Sequence, residues 1–443
     1  MKRCFLMLLC CLICMTAGGC TQMATSSSFA DIYTDASSGT LSFSTQTDSE
    51  ASGSSSRSKT KGSAKTSSKQ SGRSSKPKDT SSKPPAFKSI SIRNSNRTAF
   101  HTVGRAIPAT GSGLQLGWGG SAIAFDLLCE REIRLSFTLT AAPEETFRSV
   151  WVRISVDGKP VLSGRTEIAL SALLTVATDL PYGTHRVEIV RLTDGEAPPL
   201  RLTEIQTYGS LVLQAPSPKK LYIEAIGDDA LLGRGVLSND PALTGASAVS
   251  SALQDATKTY PYLAAEALQA DCYLLARVGA GLATGYLQTT VSENGATKRV
   301  ADPLGILPNI YSYTDLYTKG VHTVTRAPDV IVLDAGRADI QSSLLQAVPP
   351  NGISGSKATD RAVAFLKQLK QSYPSATIIW CYGFLYRSPA LKTRIESVIR
   401  MAGGETAGIH MLELDPATRT GVPTLSDHKA AAIALQQAIR TLR

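Results

Sequence analysis

Two adjacent aspartates, Asp228 and Asp229, directly follow an apolar run at residues 221–226 and precede a glycine-flanked arginine, Arg234. A short apolar run bounded by glycine is typical of a buried strand in a parallel sheet, and the chemistry of open α/β sheets lies beyond the carboxyl ends of such strands. A carboxylate there can act as a nucleophile that forms a covalent ester. With Asp339, the two aspartates could instead bind a hard cation such as calcium. We favour a structural role for Asp228 and Asp339, as carboxylates that hydrogen-bond the loops.

The elements that would position these residues alternate between strands and helices from residue 216 to residue 443. Strand-like runs lie at 221–226, 272–278, 330–335, 376–382 and 409–414, and helical patterns lie at 260–270, 358–373, 391–402 and 428–442. This alternation predicts a doubly wound parallel sheet, that is, a flavodoxin-like domain of three layers. Ser426 is expected to cap the last helix.

Residues 88–215 show strand patterns and no helical period. Alternating apolar positions at 150–156 are followed by Asp157 and Gly158, which predict a tight hairpin turn, and further runs lie at 114–116, 122–128, 133–139, 186–192 and 200–208. Many short strands predict a separate all-β domain, either a sandwich or a jelly roll. Trp118 and Trp151 either form a platform for sugar rings or belong to the core.

The chain begins with a predicted export signal at residues 1–19. Lys2 and Arg3 precede an apolar segment that is too short to span a bilayer comfortably. Small residues then precede Cys20, in a pattern that resembles a bacterial lipobox. We expect Cys20 to carry a lipid and to anchor the protein on the outer face of the bacterial membrane. The alternative is an ordinary cleaved signal in which Cys20 is incidental.

Residues 20–87 are rich in Ser, Thr, Lys and Gly and predict a disordered tether. The net charge of the chain is +10, and residues 51–90 alone contain ten Lys or Arg against a single acid, Asp79. The basic composition therefore describes a tail and does not indicate a nucleic-acid-binding domain. The tail either passes through anionic wall polymer or is simply a solvated linker.

Three of the eight cysteines, Cys129, Cys272 and Cys381, lie beyond Cys20, each in or beside an apolar run. Their spacing indicates neither a disulfide framework nor a zinc site, and we expect them to be buried apolar residues. We expect no cofactor and no metal.

The stretch around Gly227, Asp228 and Asp229 resembles the first block of the SGNH, or GDSL-type, hydrolases, in which a strand ends in Gly-Asp-Ser. Four short segments are similar to the N-terminal jelly roll of carbohydrate esterase family two, whose members carry that domain directly before an SGNH domain. They are Val103-Gly-Arg, Leu116-Gly-Trp-Gly-Gly-Ser, Val156-Asp-Gly-Lys and Tyr182-Gly-Thr-His-Arg. The resemblance covers nearly all of the folded chain and implies an acetyl esterase fold.

Four positions of this chain correspond to the family's catalytic groups. Asp229 replaces the nucleophilic serine, Ala338 the oxyanion asparagine and Val422 the catalytic histidine, whereas Gly281 would keep a backbone oxyanion donor. Acyl transfer needs a nucleophile, a base and oxyanion donors together. His428 is the nearest histidine in sequence, but it lies one to two helical turns beyond position 422 and should face elsewhere.

We therefore expect a cell-surface lipoprotein of the SGNH carbohydrate-esterase type that is catalytically inactive and binds a glycan or wall polymer. Arg234 and Arg337 are candidates to pair with Asp228 and Asp229 and to fill the former pocket. The alternative is an active carbohydrate O-deacetylase that uses a non-standard site around Asp229.

Overall fold

The computed structural model describes residues 85–105, 107–108, 112–140, 149–244, 250–321, 326–419 and 421–443. The predicted export signal, Cys20 and almost all of the predicted tether lie outside the described residues, and so does His322.

Residues 87–211 contain one ten-stranded antiparallel sheet. Its strands are β1 (Phe87–Ser91), β2 (His101–Val103), β3 (Ile107–Pro108), β4 (Leu114–Leu116), β5 (Ala122–Leu139), β6 (Val150–Val156), β7 (Lys159–Pro160), β8 (Thr166–Ile168), β9 (Ser171–Arg191) and β10 (Leu200–Leu211). The strands follow the order β3-β4-β10-β5-β9-β6-β7, and β1 pairs with β10, β2 with β5 and β8 with β6. The sheet buries its own apolar cluster, which includes Phe125, Phe137 and Ile189. The strand-rich pattern is thus confirmed, while the jelly-roll topology stays a prediction.

The tight turn after β6 is confirmed as a two-residue hairpin turn. Asp157 and Gly158 both have positive φ angles, 51° and 75°, and they join β6 to β7. Two positive φ angles are what a type I′ turn requires, and Asp-Gly supplies them with little strain.

Two strands of this sheet are longer than the pattern predicts. β5 joins the predicted runs 122–128 and 133–139, and β9 extends the run at 186–192 back to Ser171. The pairing of β5 with β9 shifts register between Cys129 and Ile133, where Arg131 has a φ of 66°. Such a bulge interrupts the alternation of side chains without ending the strand, so a reading based on alternation divides the strand in two.

Residues 221–443 contain a five-stranded parallel sheet with helices between its strands. Its strands are β11 (Leu221–Gly227), β12 (Ala270–Ala276), β17 (Val330–Asp334), β18 (Thr377–Tyr382) and β19 (Ile409–Glu413); two hairpins, β13 (Gln288–Glu293) with β14 (Ala296–Ala301) and β15 (Tyr313–Asp315) with β16 (Thr318–Val321), lie outside it. The order is β12-β11-β17-β18-β19, with every neighbouring pair parallel. Numbered along the chain this is 2-1-3-4-5, the flavodoxin-like order, which confirms the predicted doubly wound sheet.

The helices of this region are α1 (Tyr260–Ala267), α2 (Leu307–Ile310), α3 (Arg337–Gln341), α4 (Ser343–Gln346), α5 (Gly355–Ser372), α6 (Pro389–Met401) and α7 (Leu425–Leu442). The chain steps from β11 to β12 in one direction and from β17 through β18 to β19 in the other. Right-handed crossovers therefore place α1 on the face opposite to α5 and α6. Consistent with this, α1 packs on α7, and α5 packs on α6.

The last helix begins earlier than predicted. Thr424, not Ser426, is its N-cap: the Thr424 side chain accepts a hydrogen bond from the Asp427 N–H, and the Asp427 carboxylate accepts one from the Thr424 N–H. This reciprocal capping box satisfies two backbone donors at once, which a cap at Ser426 would leave unpaired. The prediction of Ser426 as the cap was therefore wrong.

The two sheets meet at β12. The Leu274 N–H donates to the Gly119 carbonyl across the junction, and Trp118 is fully buried there within the apolar core of the parallel sheet. Trp151 is half-buried, with the Arg165 guanidinium 4.5 Å above its ring. Trp118 therefore belongs to the core and does not form a platform for sugar rings. One face of Trp151 is covered by the Arg165 guanidinium.

Cys129, Cys272 and Cys381 are buried and unpaired, as the sequence predicts. Among the described residues no helix has the length and apolar character to cross a membrane.

Candidate functional site

Four charged residues gather where the strand order of the parallel sheet reverses, between β11 and β17. Asp228 and Asp229 follow β11, Asp334 is the last residue of β17, and Arg337 begins α3. Gly336 precedes the arginine with a φ of 102°, a conformation in which glycine is unstrained. We call Asp228, Asp229, Asp334 and Arg337 the edge cluster. In open α/β sheets this switch point is where ligands bind.

Arg337 is the cation of the edge cluster. Its Nη2 lies 2.5 Å from Asp229 Oδ2 and 3.3 Å from Asp228 Oδ2, and its guanidinium lies 5.6 Å from the centre of the Tyr286 ring. Its Nε is buried and has no hydrogen-bond partner in the described part of the chain. Arg337 thus pairs with both aspartates, as the sequence predicts.

The carboxyl groups of the edge cluster outnumber this one cation. Burial, together with the charges of Asp229 and Asp334, raises the pKa of Asp228 to about 8 against the opposing effect of Arg337. Burial also raises the pKa of Asp334 to about 6, although Tyr260 donates a 2.8 Å hydrogen bond to it. The raised pKa values favour the protonated forms of Asp228 and Asp334, and the shorter ion pair of the cluster is the one between Arg337 and Asp229.

The backbone donors that an oxyanion would use are already engaged. The Gly279 N–H donates to Asp229 Oδ2 at 3.0 Å, and the Gly281 N–H donates to the Gly305 carbonyl at 3.0 Å. Asp229, the residue at the position of the nucleophile, accepts the hydrogen bond from the Gly279 N–H. Gly281, expected to keep a free backbone donor, thus has a protein acceptor in this arrangement.

The other two positions that correspond to catalytic groups carry apolar side chains in packed surroundings. Ala338 is fully buried in the first turn of α3. Val422 is buried in a small apolar cluster with Leu243 and Leu253. Neither position presents a donor or a base.

His428 does not supply the missing base. Its ring is buried between Tyr260 and Phe384, and its Nδ1 accepts a 3.2 Å hydrogen bond from the Tyr260 N–H. Burial lowers the pKa of His428 to about 3, so the ring is neutral. This histidine stabilises the start of α1 by capping a backbone donor.

The remaining described histidines lie away from the edge cluster. His101 contacts Asp271 at 3.3 Å, at the amino end of β12, and His185 contacts Asp157 at 2.8 Å in the β6–β7 turn. His410 lies within β19. Among the described residues, therefore, no imidazole is hydrogen-bonded to the edge cluster.

Asp339 has a structural role. Its two oxygens accept hydrogen bonds from the backbone N–H groups of residues 282, 283 and 284, at 2.6–2.8 Å. A carboxylate that accepts three backbone bonds holds a loop in place and has little capacity left for a cation. No group of three His, Cys, Asp or Glu side chains in the described residues is arranged to hold a metal, which disfavours the calcium alternative.

Arg234 does not pair with Asp228 or Asp229, contrary to the expectation. Its Nε donates to Asp194 at 2.7 Å and its Nη2 to Glu196 at 2.6 Å. Both acids lie in the loop after β9, which the buried Arg191 organises through hydrogen bonds to five backbone carbonyls of residues 116, 193, 194, 197 and 198. The antiparallel sheet thus supplies the acids that hold Arg234.

Sequence reasoning missed Asp334, Tyr260, Tyr286 and Glu196 at this site. Asp334 was detectable, because it ends an apolar run that was predicted as the third parallel strand. Glu196 Oε1 accepts a 3.2 Å hydrogen bond from the Val278 N–H, so it fixes the loop that carries Gly279. No local pattern reveals Glu196, since it comes from the other sheet.

A flavodoxin-like sheet with a charged cluster at its switch point, preceded by an antiparallel sheet, is the architecture that the SGNH resemblance implies. No family model matches the chain, and no curated protein matches it. Solved structures do match. A family two carbohydrate esterase from Cellvibrio japonicus is 19% identical with a TM-score of 0.64, covering 81% of this chain and 98% of that one.

Two further solved structures have the same fold at the same level of similarity. A family two carbohydrate esterase from Clostridium thermocellum, in complex with cellohexaose, is 19% identical with a TM-score of 0.61, covering 77% of this chain and 98% of that one. A carbohydrate esterase whose active site displays divergent catalytic and non-catalytic binding functions is 19% identical with a TM-score of 0.58, covering 80% and 98%. The chain therefore has the fold of SGNH-type carbohydrate esterases.

The edge cluster differs in its side chains from the site that the SGNH resemblance implies. The described switch point contains neither a serine at position 229 nor an imidazole hydrogen-bonded to the cluster, and the Asp229 carboxylate is held by the Arg337 guanidinium and the Gly279 N–H.

Proposed function

We propose that this protein is a lipid-anchored, catalytically inactive member of the SGNH carbohydrate-esterase type that binds a glycan or wall polymer at the bacterial surface. The observation that carries the proposal is the ion pair of Asp229 with Arg337, at the position where an esterase of this fold has its nucleophile. Cys20 would hold the lipid, and residues 20–87 would extend the folded part away from the membrane.

The electrostatics of the edge cluster support loss of catalysis. A carboxylate nucleophile at Asp229 must leave its guanidinium partner and then rely on a base that activates water. Burial raises the pKa of Asp228 to about 8 and so favours its protonated form, and among the described residues no imidazole is hydrogen-bonded to the edge cluster to act in its place. The active-esterase alternative is therefore the weaker one.

Retention of the fold supports a binding role. The chain keeps both sheets and their junction, and one esterase of the same fold is in complex with cellohexaose. Another displays non-catalytic binding at its active site. A β-linked glucan oligosaccharide is therefore the first ligand to test.

The catalytic part is tested with simple acetyl esters and acetylated xylan. We expect hydrolysis by the purified protein to equal the background rate, and we expect no gain in Asp229→Ser, because no base can take the serine proton. The triple variant Asp229→Ser, Ala338→Asn, Val422→His introduces the three side chains that the resemblance implies, and turnover in it would show that the pocket is still open. Wild-type turnover that disappears in Asp229→Ala would contradict inactivity and identify a carboxylate nucleophile.

The binding part is tested by affinity electrophoresis with soluble neutral glucans and xylans, where we expect retarded migration. The anchor is tested by Cys20→Ser, which we expect to release the protein from the membrane fraction into the medium or periplasm. Membrane retention of Cys20→Ser would count against the lipid anchor without affecting the glycan-binding proposal.

A further inference from the structure

A pocket of about 280 Å³ lies away from the edge cluster, beside the β13–β14 hairpin. Its walls are β14, the loop at residues 349–354 and the first two turns of α5, and Ala283 and Thr284 lie on its inner side. The volume lies just below the range of about 300–1,000 Å³ that is usual for small-molecule sites, so it suits a small ligand.

The lining of this pocket is strongly basic. Lys298 and Arg299 come from β14, and Lys357 and Arg361 come from α5; we call the site the basic pocket. No Asp or Glu is among its lining residues. Four cations around one concave surface repel one another unless an anion is bound, so the arrangement favours an anionic ligand.

Local structure keeps these cations on the pocket. Lys357 and Arg361 are one helical turn apart and therefore share a face of α5. Arg361 Nη1 donates to the Ala283 carbonyl at 2.9 Å, which fixes one guanidinium against the inner wall. The amino-terminal end of α5, which Ser354 caps, adds positive potential beside Lys357.

We propose that the basic pocket binds a phosphate group carried by a sugar, as in a phosphate-bearing glycan. A phosphate matches the site because it is compact, carries up to two negative charges and accepts several charge-assisted hydrogen bonds from Lys and Arg. This inference names the phosphate as the recognised group and the basic pocket as its site. It rests on the proposed function for the glycan part of the ligand.

The experiment uses the full chain and radiolabelled inorganic phosphate in equilibrium dialysis, at constant ionic strength. We expect the double variant Lys298→Gln, Lys357→Gln to bind phosphate about tenfold more weakly, since two charge-assisted contacts are lost. The matched control is Lys367→Gln, Lys429→Gln, which removes the same net charge at exposed positions on α5 and α7. We expect the control to bind phosphate as the wild type does.

Equal phosphate affinity in the pocket variant and the wild type would overturn the proposal, and so would an equal loss in the control. A second measurement needs no variant: bound phosphate should protect Lys298 and Lys357 from acetylation, read by mass spectrometry, while Lys367 remains unprotected. Protection of Lys367 to the same degree would also count against the site.

The source of the phosphate is separated with three probes. Glucose 1-phosphate should bind more tightly than inorganic phosphate, and both should depend on Lys298 and Lys357. Pocket-dependent binding only to vesicles of phosphatidylglycerol would overturn the glycan assignment in favour of a lipid headgroup. If the protein does not bind neutral glucans, only the proposed function is contradicted, because the basic pocket can bind phosphate without binding a neutral glucan.

Discussion

Two buried clusters of acids and arginine lie along β11, and they differ in charge balance. The first, which we call the mid-strand cluster, consists of Glu224, Arg105, Tyr273 and Tyr311. Glu224 accepts hydrogen bonds from Arg105 Nη2 at 3.2 Å, from the Tyr311 hydroxyl at 3.0 Å and from the Tyr273 hydroxyl. Arg105 also donates to the Tyr313 carbonyl at 2.9 Å. Here one acid meets one guanidinium, and every oxygen of the acid has a donor.

The edge cluster, which begins four residues farther along the chain at Asp228, has three carboxyl groups and one guanidinium. Burial raises the pKa of Asp228 to about 8, which favours a proton on this carboxyl group and so reduces the imbalance. The comparison shows how the two clusters differ in completeness. Every oxygen of the acid in the mid-strand cluster has a donor, whereas the edge cluster has a surplus of acids and a buried Arg337 Nε without a hydrogen-bond partner among the described residues.

The largest effect is expected from Arg105→Met, which leaves Glu224 buried without its counter-charge. Removal of one partner of a buried ion pair typically costs about 3–5 kcal/mol of the free energy of unfolding. Arg105 is 3% exposed and joins the antiparallel sheet to β11, so we expect a loss in that range, measured by urea denaturation.

Two comparisons separate this loss from a general effect of removing a cation. The double variant Arg105→Met, Glu224→Met should be less destabilised than the sum of the single variants, since it leaves no unpaired charge. The control Lys392→Met removes an exposed partner of Glu413 and should cause no measurable change. Additive losses in the double variant would show that Arg105 acts through packing alone.

A smaller effect is expected from Arg337→Met in the edge cluster. Arg337 is 19% exposed, and its partners can take up protons, so we expect a loss of about 2–3 kcal/mol at pH 8. The loss should shrink at pH 5, because burial raises the pKa values of Asp228 and Asp334 to about 8 and about 6, and their protonation removes charge that Arg337 no longer balances. Urea denaturation at both pH values checks this, with Arg337→Lys as the variant that keeps the charge. A loss of equal size at pH 5 would contradict the electrostatic explanation.

The sequence predicted the architecture of the parallel sheet because its strands are buried on both faces and read as continuous apolar runs. Asp229 and Arg337 were predicted as partners for a related reason: they follow two of these runs, and the carboxyl ends of parallel strands share one edge. The position of Arg234 could not be predicted in this way. Its partners, Asp194 and Glu196, belong to a loop of the antiparallel sheet, and only the packing of the two sheets brings them to Arg234.

Arg105 illustrates the same limit. It was noted only as part of Val103-Gly-Arg, a fragment of a resemblance, and its neighbours in sequence give no sign of burial. In the structure it reaches β11, more than a hundred residues later in the chain. A long-range ion pair leaves no periodic signal, since neither partner needs a particular spacing from the other.

The smallest and most specific effect concerns the proton on Asp228. Its pKa in the folded protein is about 8, against about 3.9 for an unperturbed aspartate. When the pKa of a group is higher in the folded protein than in the unfolded chain, its contribution to the free energy of unfolding is fully present below the pKa of the unfolded chain. That contribution is lost as the pH rises through the pKa of the folded protein. Between pH 6 and pH 7 the wild type should therefore lose free energy of unfolding, on the order of 1 kcal/mol, relative to Asp228→Asn, whose amide cannot ionise. Urea denaturation at these two pH values measures the difference in slope, and titrating groups outside the edge cluster cancel between the two proteins. Parallel pH profiles would show that Asp228 is ionised in the folded protein, and the contrast in charge balance between the edge cluster and the mid-strand cluster would then have to be abandoned.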